Sequence, residues 1–219
     1  MASALGQQPA SERAVVRLRA ALFLICLLPL ARLVLAGTTG WFGGLGANPV
    51  ELITRSTGTW TLVLLCCTLA VTPLRRFTGW NRLIRLRRML GLYTFFYGVL
   101  HLMTWVWFDQ FFDLSDMGRD LAKRPFIAMG MVAFVSMVPL AATSTQSMIR
   151  RLGRRWAVLH RLIYLTAVAA ILHYLWHKAG KNDFTQVSVY AAVIAVLLAT
   201  RLIPRRRAGP TAPTPSRAA

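Results

Sequence analysis

Four histidines are the side chains of this sequence best suited to chemistry. His101 lies within one long apolar stretch, and the other three lie in or just after a second one: His160, His173 and His177. Ionisable side chains are costly in a lipid-spanning helix and usually mark a functional site there. Imidazole is also a common axial ligand of haem iron. The histidines therefore suggest haem ligation, binding of another group, or packing through hydrogen bonds.

The composition indicates a helical membrane protein. Of the 219 residues, 56% are hydrophobic, and long runs carry few charges, which is typical of transmembrane helices. Because lipid supplies no hydrogen bonds to the backbone, each run is expected to be a helix. The runs cover residues 18–37, 59–74, 89–108, 125–142, 156–176 and 185–203. No internal sequence repeat is visible.

The predicted fold is an all-α membrane protein, a bundle of six transmembrane helices over residues 18–203. An N-terminal segment, residues 1–17, precedes the bundle. A Pro- and Ala-rich tail, residues 204–219, follows it and is expected to be disordered.

The distribution of basic residues predicts the orientation of this bundle. The net charge of +19 would suggest nucleic-acid binding in a soluble protein. Here the cations instead cluster in alternate loops between the apolar runs, which argues against a nucleic-acid partner. The positive-inside rule then places these loops and both termini in the cytoplasm. The basic clusters are Arg13 to Arg19, Arg75 to Arg88, Arg150 to Arg155, and Arg205 to Arg207.

Helix geometry places two histidines at a similar depth. At a rise of about 1.5 Å per residue, His101 lies about 20 Å beyond Arg88, and His173 lies about 27 Å beyond Arg155. Both therefore fall in the outer half of a hydrocarbon core of about 30 Å. A haem with two histidine ligands needs imidazoles on opposing helices at matched depth. The predicted axial pair is His101 with His173.

The remaining histidines fit such a pair less well. His160 lies only about 8 Å beyond Arg155, alone in the inner half, so a haem there would need water or another side chain as its second ligand. His177 lies at the outer surface, one helical turn after His173 on the same helix face, so it could substitute for His173. A metal-transport site is the rival interpretation. It is disfavoured because the interiors of the runs contain no Asp or Glu, which zinc sites and cation paths often use.

Several motifs resemble those of one known family. RRMLGL precedes His101, TSTQ and LGRRWAVLH precede the fifth run, and HYLW begins at His173. Over residues 22–203 the chain resembles the MsrQ (YedZ) family of haem-binding membrane subunits, which serve bacterial periplasmic methionine sulfoxide reductases. Its broader relatives are the ferric-reductase-like transmembrane domains.

The resemblance implies a six-helix protein of the bacterial inner membrane that binds haem b, one or two per chain, and FMN. The family's haem-ligand positions carry over to His101, His160 and His173. The implied function is electron transfer from the respiratory quinone pool to MsrP, a periplasmic molybdopterin subunit that repairs oxidised methionine. The chain would be the electron-transfer subunit and not the catalytic one.

Two points about the electron donor and acceptor stay open. Only residues 204–219 follow the last run, so a cytosolic flavin and nicotinamide domain is not expected. This favours quinol or a separate flavin reductase as the donor. The alternative function is a stand-alone haem transmembrane metalloreductase of the ferric-reductase or cytochrome b561 kind.

Overall fold

The computed structural model describes residues 10–180 and 182–202, with side chains from residue 13 onward. These residues are helical and contain no strand. The predicted tail and the first residues of segment 1–17 lie outside the described part. The helices are α1 Ala10–Thr39, α2 Pro49–Thr78, α3 Ile84–Thr104, α4 Leu114–Lys123, α5 Pro125–Ala142, α6 Gln146–Leu152, α7 Arg154–Leu159, α8 Leu162–Ala179 and α9 Thr185–Ala199.

Among the described residues, five helical stretches are long and apolar enough to cross a membrane. They are Arg13–Thr39, Pro49–Thr78, Asn81–Asp109, Pro125–Ala142 and Arg154–Ala179. The apolar helix α9, with 15 residues, is shorter. Large apolar side chains such as Leu24, Leu28 and Val196 are more than 60% exposed, as expected for surfaces in contact with lipid. The chain is therefore a multi-pass helical membrane protein.

The apolar runs predicted the helices better than their ends. The run 125–142 coincides with α5, but α2 begins at Pro49, so residues 49–58 are helical and not the predicted loop. The Asn48 side chain accepts a hydrogen bond from the Glu51 N–H at 3.1 Å, and proline suits the first helical position. Apolarity misses this start because the first turns of α2 carry charged residues.

The predicted outer loop 109–124 also contains a helix, α4. The Asp113 side chain caps α4 by accepting hydrogen bonds from the N–H groups of Ser115 and Asp116, at 2.8 and 3.0 Å. These bonds hold the pKa of the Asp113 carboxyl below its ordinary value. The cap shows why a segment without a long apolar run is helical.

Two antiparallel hairpins, α2 with α3 and α5 with α8, form the centre of the bundle. Several internal contacts of one hairpin recur in the other, between equivalent residues that lie 72 positions apart in the sequence. Thr94 on α3 and Thr166 on α8 are equivalent, and both are buried. Thr94 contacts the Thr68 hydroxyl of α2 at 3.4 Å, and Thr166 contacts the Ser136 hydroxyl of α5 at 2.7 Å. Ser136 lies one turn from Leu140, the residue equivalent to Thr68, so this contact is similar in the two hairpins and not identical. The similarity of the two hairpins lies in how their helices pack, since most of the equivalent side chains differ in type.

A buried tyrosine connects α1 to the first hairpin. Pro29 interrupts the hydrogen-bond ladder of α1 because proline has no N–H. Beside it, the fully buried Tyr97 of α3 donates its hydroxyl hydrogen to the Cys26 carbonyl at 2.7 Å. The same hydroxyl accepts from the Leu30 N–H at 3.2 Å. One side chain thus satisfies two backbone groups at the proline.

Replacing Tyr97 with Phe is expected to destabilise the protein by about 1–3 kcal/mol, because it leaves buried backbone groups without their partner. The midpoint of chemical unfolding in detergent measures the change. Tyr93→Phe is the matched control, since Tyr93 makes one bond to α1, to the Phe23 carbonyl at 3.1 Å. An equal loss in both variants would contradict the bridging function of Tyr97.

Candidate functional site

His101 of α3 and His173 of α8 face each other between the two hairpins. Their ring centres are 6.0 Å apart, and their ring planes are inclined at 79°. The structure thus brings together the two histidines that the depth calculation paired. Because they are equivalent residues of the two hairpins, each hairpin supplies one imidazole.

Both imidazoles are held in the same way by the neighbouring helix. Nδ1 of His101 lies 3.0 Å from the Thr54 carbonyl oxygen, and Nδ1 of His173 lies 2.7 Å from that of Phe126. In each case the acceptor lies 47 residues before the histidine. A carbonyl can only accept, so each Nδ1 carries the hydrogen. Each Nε2 is left with a lone pair that can bind a metal.

A glycine makes room for each ring. A Cβ atom at Gly58 of α2 would lie 2.9 Å from Cε1 of His101, and one at Gly130 of α5 would lie 2.7 Å from Nδ1 of His173. Both distances are shorter than a real Cβ contact. The two glycines again occupy equivalent positions in the hairpins, so the absence of a side chain is part of the repeated arrangement.

The spacing and donors of this pair fit the iron of a haem. Metal–imidazole bonds of about 2 Å, with each ring centre about 1 Å behind its nitrogen, place the ring centres about 6 Å apart. The observed distance is 6.0 Å. A carbonyl partner on the other ring nitrogen is the usual support of a histidine ligand. Among the described residues, no group of three or more His, Cys, Asp or Glu side chains could hold a metal ion.

The structure places His160 away from this pair, at the other end of the α7–α8 segment. His160 ends α7, and its ring stacks on Trp156 with centres 3.9 Å apart. Its Nδ1 lies 3.1 Å from the Trp156 carbonyl oxygen. The stack is anchored because Trp156 Nε1 donates to the Thr143 carbonyl at 3.0 Å. One ring nitrogen of His160 is therefore held by its own helix.

His177 lies beside the pair, one turn after His173. Its ring centre is 5.4 Å from that of Phe126, the residue whose carbonyl holds His173. His177 thus packs against the support of one imidazole and is not the residue that faces His101.

Sequence reasoning missed the groups that position the imidazoles. Gly58 and Gly130 could have been suspected, since a glycine inside an apolar helix often marks a close approach. The carbonyls of Thr54 and Phe126 could not, because any residue type carries one.

Comparison with known proteins identifies a family of transmembrane proteins. The profile of the ferric reductase like transmembrane component matches residues 57–171, which include His101 and His160 and end just before His173. No solved structure matches this chain.

Curated relatives match over most of their length. The protein-methionine-sulfoxide reductase heme-binding subunit MsrQ of Ralstonia nicotianae is 64% identical over 89% of this chain and 87% of its own. The MsrQ proteins of Herminiimonas arsenicoxydans and Bordetella parapertussis are 55% and 54% identical. They cover 84% and 89% of this chain, and 84% and 93% of their own lengths. The chain therefore belongs to the MsrQ family of ferric-reductase-like transmembrane proteins.

Proposed function

We propose that this chain is the haem b-binding, electron-transferring membrane subunit of a protein-methionine-sulfoxide reductase system. The observation that carries the proposal is the opposed pair of His101 and His173, each with Nδ1 on a carbonyl and Nε2 available. The names of the relatives state both heme binding and the reductase system.

The residues of the site would set the properties of the bound haem, which supplies a one-electron carrier. His101 and His173 would hold its iron through their Nε2 atoms. The carbonyls of Thr54 and Phe126 fix the tautomers and make the imidazoles more basic, which stabilises the oxidised iron. Burial between the hairpins keeps water from the iron and tunes the potential further.

We further propose that α9 is a sixth span, and that both termini face the cytoplasm of a bacterium whose inner membrane holds the bundle. The arginine-rich ends of α2, α3 and α9 would then be cytoplasmic and the acidic segment around α4 periplasmic. Under this orientation the pair lies towards the periplasm. His160 lies towards the cytoplasm, where it would ligate a second haem together with a ligand other than histidine.

Electrons would pass from the quinone pool to the haem and on to periplasmic MsrP, with FMN as an additional carrier. Anaerobic addition of a reduced quinol to the protein in liposomes should produce the α band of reduced haem. Oxidised MsrP should then remove it. The His173→Ala protein is the control and should show neither change.

Different results would redirect the proposal. Reduction only by reduced FMN, generated by a flavin reductase and NADPH, would replace quinol as the donor. Haem that is reoxidised by a ferric chelate and not by MsrP would favour the stand-alone metalloreductase and contradict the proposed partner.

The angle between the imidazole planes predicts a spectrum. Nearly perpendicular axial planes make two iron d orbitals almost equal in energy, which gives a strongly anisotropic low-spin signal with one dominant g value. At the observed 79° we expect this signal for the oxidised protein in electron paramagnetic resonance. Three well-resolved g values of similar size would indicate near-parallel planes and contradict the geometry.

A further inference from the structure

Three half-buried arginines from different parts of the bundle lie towards the end opposite the acidic segment. They are Arg75 on α2, Arg87 on α3 and Arg201, just after α9. Arg87 is close enough to Arg75 and Arg201 for their charges to interact. Like charges in partly buried surroundings repel more strongly than in water, so this arrangement costs free energy without a counter-charge.

The described part of the chain supplies no such counter-charge. Every acidic side chain that the structure describes lies at the other ends of these helices or in the segments joined to those ends: Glu51, Asp109, Asp113, Asp116, Asp120 and Asp183. The three arginines therefore differ from a surface ion-pair network, in which carboxylates alternate with guanidinium groups.

Arg201 is held rigidly among the helices. Its Nη2 donates to the Leu69 carbonyl at 3.0 Å, a carbonyl that lacks its helical donor because Pro73 has no N–H. Its Nη1 donates to the Tyr164 hydroxyl at 3.1 Å. Its Nε is buried and has no hydrogen-bond partner in the described structure, and the same holds for the hydroxyl of Thr72 on α2. These two polar groups at this end of the bundle thus have no partner among the described residues.

Arg87 lies where a helix disfavours a cation. It belongs to the first turn of α3, which carries no acidic residue and has no side-chain cap. The partial positive charge of a helix N-terminus repels cations and attracts anions. An anion here would offset both the repulsion among the arginines and their conflict with the helix.

We propose that Arg75, Arg87 and Arg201 bind the phosphate group of an anionic molecule between α2, α3 and α9. Guanidinium groups bind phosphate through paired, charge-assisted hydrogen bonds, and three arginines can supply several of them to one phosphate group. Two molecules carry this group to such a depth: a phospholipid headgroup of the adjacent leaflet, and flavin mononucleotide. The site does not depend on haem ligation by His101 and His173.

Thermal unfolding of the purified, delipidated, haem-loaded protein tests the site. Phosphatidylglycerol or FMN, titrated separately, should raise the unfolding temperature saturably, with phosphatidylcholine as the zwitterionic reference. Arg87→Gln should weaken the response, with half-saturation at about tenfold higher concentration, as for one lost charge-assisted hydrogen bond. Arg88→Gln is the matched control, because Arg88 is adjacent and exposed and should leave the response unchanged.

The separate titrations distinguish the phospholipid from FMN as the molecule that carries the phosphate group. A response to phosphatidylglycerol alone assigns the site to lipid, and a response to FMN alone assigns it to the flavin. No response to either, or equal weakening in both variants, would overturn the proposal. Haem content should stay at the wild-type value in Arg87→Gln. A loss of haem there would assign the guanidinium to a haem propionate and also refute phosphate binding.

Discussion

Replacement of either His101 or His173 with Ala is expected to remove most of the haem from the purified protein. In the proposed site each histidine would supply one of the two bonds from the protein to the iron, so neither variant could hold the iron from both sides. Neither variant should retain a six-coordinate, low-spin spectrum. Haem per protein from the pyridine haemochrome assay, and the reduced-minus-oxidised spectrum, measure the effect.

His177→Ala is the matched control for this loss. His177 is an imidazole one turn away on the same helix and contacts Phe126 instead of facing His101. It should keep nearly all of its haem. Full haem content and an unchanged low-spin spectrum in both the His101 and the His173 variants would show that the pair is not the axial pair.

Gly130→Ala is expected to have the second largest effect, a fall in haem affinity of about 10- to 100-fold, the range for groups that support metal ligands. The new methyl carbon would lie 2.7 Å from Nδ1 of His173 and compete with the hydrogen bond to the Phe126 carbonyl. Gly58→Ala should act in the same way on His101. Titration of the haem-free protein with haem measures both affinities.

Gly91→Ala is the control, because it is expected not to lower haem affinity as the other two variants do. A Cβ atom at Gly91 would meet Thr68 Cγ2 at 3.7 Å, an ordinary contact. Alanine in a helix interior is otherwise favoured over glycine by about 0.5–1 kcal/mol. Gly91→Ala should therefore be neutral or stabilising, with unchanged haem affinity. Equal affinities in all three alanine variants would mean that the rings do not need the space.

The sequence predicts the pair because its position depends on regular quantities. Helix rise is constant, and arginines mark the expected points at which α3 and the α7–α8 segment enter the membrane. Depth therefore follows from counting residues to His101 and His173. Which helices are neighbours does not follow from counting. For this reason the sequence could not predict the contacts with the carbonyls of Thr54 and Phe126, or the angle between the rings.

His160 shows where the repeat of the hairpins ends. Its equivalent, 72 residues earlier, is Arg88, an exposed cation. From the sequence, His160 had no histidine partner on the third run, and the repeat gives the structural counterpart of that observation. The two halves are alike around His101 and His173 and differ towards the arginine-rich end.

Because one histidine of the pair comes from each hairpin, haem binding would stabilise the assembled form of the protein. In the proposed site each hairpin would supply one ligand, so iron bound to both histidines would hold the two hairpins together. A ligand that binds only the assembled form adds to its stability in proportion to the logarithm of its free concentration. Haem supply would then set how much of the newly inserted chain survives quality control in the membrane, before any electron has been carried.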